Sequence, residues 1–305
     1  MENQIAPQIS PWRAWILAAR PKTLPAAASP VIAATALAWA EGHFHWGAAL
    51  AALTGALLLQ IGANLANDYF DYQKGVDTVG RLGPLRVTQA GLLKPHHVLA
   101  GTLVVFGLAS LIGVYLIALA GWPVALIGLA SILAALAYTG GPRPYGYSGW
   151  GEVAVFLFFG LAAVVGTYYI QARQVSAGAV ALSIPIGLLI VNILVVNNLR
   201  DIPTDRATGK HTLAVRYGET WTRCEYLALL ITTYLVSILA SVVGILPLGG
   251  MLALASLPLA IRVTQGVWLN QGRALNRSLA ESARLVLVFS LLFSLGVVFE
   301  KILLH

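Results

Sequence analysis

Two polar blocks close long apolar runs and carry the residues suited to chemistry. The first runs from Asn64 through Asn67, Asp68 and Asp71 to Asp77. At about 100° per residue on a helix, Gln60, Asn64, Asn67 and Asp71 fall within about 60° of each other, with Asp68 at the edge. The second block, Asn197-Asn198-Leu199-Arg200-Asp201-Ile202-Pro203-Thr204-Asp205, places Asn198, Asp201 and Asp205 on one face. Carboxylates at a membrane–water boundary are costly unless they pair or bind a cation. Two facing acid clusters would repel, and divalent ions relieve that repulsion. Mg²⁺ takes oxygen ligands, holds one or two carboxylates and completes its shell from phosphate oxygens and water. Acid clusters with lysines and arginines nearby therefore read as a Mg²⁺–diphosphate site.

The elements that must position these blocks are membrane helices. The 305-residue chain is 58% hydrophobic and 10% charged, with a mean hydropathy of +0.78; a soluble domain carries about 25% charged residues. Apolar runs long enough to span a bilayer fall at about 24–41, 46–67, 96–119, 122–139, 151–170, 177–199, 225–244, 247–264 and 284–303. The expected fold is all-α, a single membrane domain over 1–305. Residues 1–22 form a cytoplasmic or interfacial segment with a short amphipathic helix. Arginines at 13 and 20 and the lack of a continuous apolar core argue against a cleaved signal peptide there. The single Cys224 excludes an internal disulfide and a cysteine-rich metal site. Pro203 is expected to bend or end its helix.

Charge fixes an expected orientation. With the N-terminus inside, 17 of the 19 lysines and arginines fall on one side, leaving Arg173 and Lys301 opposite. The positive-inside rule makes the rich side cytoplasmic and puts the C-terminus outside. The pI of about 9.7 then reflects loops beside an anionic leaflet. No basic stripe interleaves with aromatics as single-stranded nucleic acid requires, so nucleic acid is excluded as a partner. Asp68 and Asp201 lie 133 residues apart on even-numbered spans, like a weak parallel repeat that faces the blocks across a central cavity.

Two other readings stay open. Helix-end ion pairs explain any one Asp–Arg pair, yet an Asn-rich acidic face appearing twice on the same side is hard to obtain from capping alone. A cation-coupled transporter needs ionisable residues near the bilayer midplane; here Gln60 and Asn192 are the deep polar residues, and no carboxylate is deep. The histidines (His43, His45, His96, His97, His305) lack metal spacing and read as interfacial.

Asn67-Asp68-x-x-Asp71 after a second span and Asp201-x-x-x-Asp205 after a sixth resemble the membrane aromatic prenyltransferase (UbiA) superfamily. Arg20-Pro21-Lys22-Thr23, Gly83-Pro84-Leu85-Arg86, Arg143-Pro144-Tyr145-Gly146-Tyr147 and Asp201 through Lys210 to Gly218 are similar to its branch acting on 1,4-dihydroxy-2-naphthoate in menaquinone synthesis. The resemblance implies nine helices around a cavity open to the bilayer. It implies two Mg²⁺ ions held by Asn67, Asp68, Asp71, Asp201 and Asp205, a polyprenyl diphosphate donor, and carbon–carbon bond formation with loss of the acceptor's carboxylate. On that footing Arg81, Arg143 and Lys210 are expected at the diphosphate. Arg20, Lys22, Arg86, Asn64, Tyr138, Tyr145 and Asn198 are candidates for the aromatic substrate. The broad pattern has a third acid where this chain has Gly75, so Asp77 is the nearest replacement and its role as a ligand stays open. A different aromatic acceptor, such as 4-hydroxybenzoate, is the alternative within the family.

Overall fold

The computed structural model describes residues 9–76 and 81–304. A short helix α1 (Pro11–Ala19) and a 3₁₀ turn (Pro21–Thr23) lead into α2 (Leu24–Ala40). Then follow α3 (Trp46–Gln73), α4 (Pro95–Ala120) and α5 (Trp122–Thr139). The next crossing is composite: α6 (Gly151–Val155), a π-helical stretch (Phe156–Ala162) and α7 (Ala163–Ala172). Next come α8 (Ala177–Ala207), α9 (Leu213–Val242), a 3₁₀ stretch (Leu248–Ser256) running into α10 (Leu257–Leu269), and α11 (Leu275–Leu304). Among the described residues, nine segments are long and apolar enough to cross a membrane. The chain is an integral membrane protein of all-α architecture.

Local signals set several helix starts. His45 accepts from the Ala48 amide at α3, Ser176 from Ala179 at α8, and Thr212 from Val215 at α9, each satisfying an otherwise orphaned N–H. The spans run longer than the apolar runs predict. α3 continues past residue 67 to Gln73, and α8 past 199 to Ala207, because the polar residues of both blocks find partners inside the protein. Pro203 does not end α8; it removes only the ladder bond to Leu199, and the helix resumes beyond it. α9 starts at Leu213 rather than near 225, with a break at Gly218, where φ is +83°; a glycine takes that conformation at no steric cost.

The core is a packed set of α2, α7, α8, α9 and α11, where Leu37, Tyr168, Leu182, Ile186, Tyr226 and Phe289 are fully buried. α3, α4 and α5 form a second wall. Between the two walls lies a cavity of about 620 Å³. Small residues allow its far wall to close. A Cβ on Gly187 would sit 2.9 Å from the Gly160 Cα and 2.9 Å from the Phe156 ring, so the π-helical stretch lies backbone to backbone on α8; such contacts hold membrane helices together by close packing.

Gly187→Ala is expected to lower the thermal unfolding midpoint in detergent by several degrees, because rigid backbone must move apart. Gly107→Ala, where an added Cβ meets nothing within 4 Å, should leave it unchanged.

Candidate active site

Both polar blocks reach one end of the cavity. Its lining along α4, α5, the π-helical stretch and α7 is mostly apolar, broken by Ser110, Ser131 and Thr167, and carries no charged residue. At one end it meets Thr23, Gln60, Asn64, Asn67, Tyr138, Tyr145 and Asn197. The predicted α3 face is realised in part: Gln60, Asn64 and Asn67 look into the cavity, while Asp71 does not line it, and from the second block Asn197 lines it in place of the expected face of Asn198, Asp201 and Asp205. An apolar chamber ending on amides and phenols, with carboxylates at their level, suits a molecule with a long hydrocarbon tail and an anionic head.

The carboxylates are buried and each is held by a cation or by amides. Asp71, 2% exposed, accepts from Arg86 at 2.6 Å and from the Tyr147 hydroxyl at 2.5 Å. Asp201 receives a two-pronged guanidinium from Arg200 at 2.8 and 2.6 Å. Asp205 pairs with Lys210 at 3.2 Å, and Arg81 stands close enough to Asp205 to bear on its charge. Asn67 accepts from the Thr139 hydroxyl at 2.9 Å.

Asp68, the remaining acid of the first block, is held chiefly by backbone. Its two oxygens accept from the backbone amides of Val87 and Thr88 at 3.2 and 3.1 Å, with Arg20 at 3.9 Å. That geometry makes Asp68 the anchor of the 81–94 loop, and it matches the residue's place at the edge of the α3 face. Asp77 lies outside the described residues.

The other expected residues divide into two groups. Lys210 and Arg86 reach the acid clusters. Asn64 donates to the Ala19 carbonyl and the Thr23 hydroxyl. Tyr145, whose phenol burial pushes up to about 12, donates to the Ala134 carbonyl at 2.8 Å and stays neutral. Tyr138 stacks edge-on against it. Asn198 turns to Glu152 at 2.8 Å. Arg143 and Lys22 are exposed, and no ion pair among the described residues joins either to an aspartate.

Four further residues, none given a site role of its own from sequence, belong to this network. Arg200, 1% exposed, also donates to Asn197 and Asn276 at 2.8 Å each, and Asn276 holds the Leu82 carbonyl at 2.9 Å. The Asn197–Arg200 spacing of three, one turn on the same face, was the available signal. Glu152 is buried, with Oε1 on Asn198 and Oε2 without a hydrogen-bond partner among the described residues; nothing in its local sequence marks it. Tyr147 places its ring 4.7 Å from Lys210 and 5.3 Å from Lys74, a cation–π arrangement. Lys74 caps the Thr139 and Gly141 carbonyls at 2.7 and 2.8 Å. Burial lowers its amine below the usual lysine value, and Asp71 opposes that shift.

All ligand-capable atoms here are oxygens of carboxylate and amide. Among the described residues no cluster of three or more acidic, histidine or cysteine side chains is gathered tightly enough to hold a metal alone. The set fits a hard cation that takes one or two protein oxygens and fills its shell from phosphate and water. Asp68→Ala should speed hydrogen exchange at the Val87 and Thr88 amides by on the order of tenfold or more, the worth of one or two lost hydrogen bonds; unchanged exchange would remove its anchoring role.

Residues 27–293 match the UbiA prenyltransferase family. The chain is similar to 1,4-dihydroxy-2-naphthoate octaprenyltransferase of Escherichia coli, 39% identical over 95% of this chain and 96% of that one. It is 42% identical to the enzyme of the same name from Mycobacterium tuberculosis, over 91% and 94% of the two chains. Among solved structures it resembles a UbiA homolog from Aeropyrum pernix (TM-score 0.67, 15% identity, 90% of this chain and 97% of that one). It also resembles one from Archaeoglobus fulgidus bound to DMAPP and Mg²⁺ (TM-score 0.63, 13% identity, 92% and 99%). The family match spans both acid clusters, and the chain belongs to the UbiA prenyltransferase family.

Proposed function

We propose that the protein transfers a polyprenyl group from polyprenyl diphosphate to 1,4-dihydroxy-2-naphthoate, releasing diphosphate and carbon dioxide and giving demethylmenaquinol for menaquinone synthesis. The observation that carries this reading is the junction of an uncharged apolar cavity with two buried acid clusters. The names of relatives 39 and 42% identical supply the acceptor. An uncharged lining gives no support to ion coupling at mid-membrane.

Asn67, Asp71, Asp201 and Asp205 would hold two Mg²⁺ ions, which when bound neutralise the departing diphosphate. Lys210 and Arg81 stand on the same side to take up its remaining charge. Arg86 and Arg200 set the positions of Asp71 and Asp201 before any ligand arrives. The apolar walls exclude water from an allylic cation as the C–O bond breaks, and the phenols of Tyr138 and Tyr145 present neutral, electron-rich groups to it. The site faces the cytoplasm of a bacterial inner membrane, with the N-terminus inside and the C-terminus outside, by the distribution of lysine and arginine. A phosphatase reporter fused after residue 305 should be active and one fused before residue 1 silent; the reverse would overturn the orientation.

Membranes given labelled polyprenyl diphosphate should form lipid product with 1,4-dihydroxy-2-naphthoate and not with 4-hydroxybenzoate, and EDTA should abolish it. Product from 4-hydroxybenzoate alone would overturn the acceptor. Asp71→Asn and Asp201→Asn should each cut turnover by about 10²-fold or more while the protein still folds. Asn is chosen because it keeps the side-chain shape and one acceptor oxygen for Arg200, whereas Asp201→Ala would strip the buried guanidinium of charge partner and acceptors together, at a cost of about 3–5 kcal/mol. Near-normal turnover in either variant would remove the metal assignment.

A further inference from the structure

Gln60 lies in the cavity wall about 10 Å below Asn67, at 1.5 Å per residue along α3. Its amide orientation follows from one hydroxyl. Thr23 Oγ1 donates its only proton to the Arg20 carbonyl at 2.9 Å. It can then only accept, and two amide groups converge on it: Gln60 Nε2 at 3.2 Å and Asn64 Nδ2 at 2.9 Å. Both NH₂ groups must face Thr23, since a carbonyl oxygen there would meet lone pairs. Asn64 is fixed a second time by the Ala19 carbonyl at 3.0 Å. The Gln60 carbonyl therefore points away from Thr23. Its Oε1 is buried and has no hydrogen-bond partner among the described residues, while Gln60, Asn64 and Thr23 all line the cavity.

A buried acceptor without a donor is costly, and a bound molecule that supplies one gains the difference. The geometry points to Gln60 Oε1 as the acceptor for a ring hydroxyl of the aromatic substrate, with Thr23 as the residue that positions it. This rests on the dihydroxynaphthoate reading above. In that molecule the 1-hydroxyl lies beside the carboxylate and bonds to it internally. The 4-hydroxyl is the free donor, on the far side of the ring from C1. With the carboxylate towards the basic residues at the cavity's polar end, the 4-hydroxyl is the group directed down the wall to Gln60. A molecule lacking that hydroxyl leaves Oε1 unpaired, so the contact discriminates between acceptors.

The test uses the purified full chain with Mg²⁺ and polyprenyl diphosphate. Gln60→Leu should raise the KM for 1,4-dihydroxy-2-naphthoate about tenfold, the worth of one net hydrogen bond, and leave the KM for the donor within about twofold. The inhibition constant of 1-hydroxy-2-naphthoate, which lacks the 4-hydroxyl, should be the same for both proteins. Thr23→Val should raise the acceptor KM in the same way, and Thr23→Ser should restore it. An unchanged acceptor KM, both KM values rising together, or a matching rise for the monohydroxy inhibitor would each overturn the assignment. Should Gln60→Leu fail to fold, the Thr23→Val and Thr23→Ser pair decides by the same ratio. Absence of transfer by the unaltered protein would overturn the acceptor reading and this inference with it. The unaltered protein's rate distinguishes that result from failure of the contact alone.

Discussion

The interaction on which the site depends is the fork of Arg200 onto Asp201, both buried in the helical interface. Removing two charges from water costs several kcal/mol per ion, so a buried pair survives only when every remaining donor is satisfied. Arg200 meets that demand through Asn197 on its own helix and Asn276 on α11. Asn276 then reaches the Leu82 carbonyl, and a Cβ at Gly83 would lie 2.8 Å from the guanidinium. The neutralisation of one carboxylate thus fixes a helix, its neighbour and a loop together. Asp71 repeats the scheme with Arg86, and Asp68 repeats it with backbone amides of the same loop. The 81–94 loop is stitched to both clusters, donating to Asp68 and Asp71 and accepting from Asn276 through the Leu82 carbonyl.

Much of this was legible in the sequence. Hydropathy separates the spans, and the angular positions of Gln60, Asn64 and Asn67 foretell the cavity face. What sequence could not give was the identity of partners. Asp68 and Asp71 are three residues apart and chemically alike, yet the same downstream loop gives backbone amides to the first and the Arg86 side chain to the second, a division that local sequence does not encode. Glu152 was invisible for the same reason: its counterpart, Asn198, lies 46 residues away on another helix. Span ends were misread because hydropathy falls where Asn67 to Gln73 and Arg200 to Ala207 begin, whereas the helices continue wherever side chains supply the lost solvation.

The cavity reconciles two solvents in one fold. Its walls are mostly apolar, which suits a hydrocarbon chain, and its polar end offers neutral amides and phenols before any charge is met. A bound cationic species would therefore find electron-rich but uncharged groups, with the strong fields held just beyond by their own counter-ions.

The π-helical stretch bears on that wall through its phase. The residues of this crossing that face the cavity include Ala154, Phe158, Ala162, Gly166 and Ile170, a strict period of four. An α-helix would rotate such a series by about 40° at each step and carry its last members away from the chamber. The wider turn between Phe156 and Ala162 takes up that drift, so both halves of the crossing present the same face. It works as a gear change within one helix. It lets a single continuous strip of small and aromatic side chains run nearly the full depth of the membrane, the length a long isoprenoid chain would need to lie against.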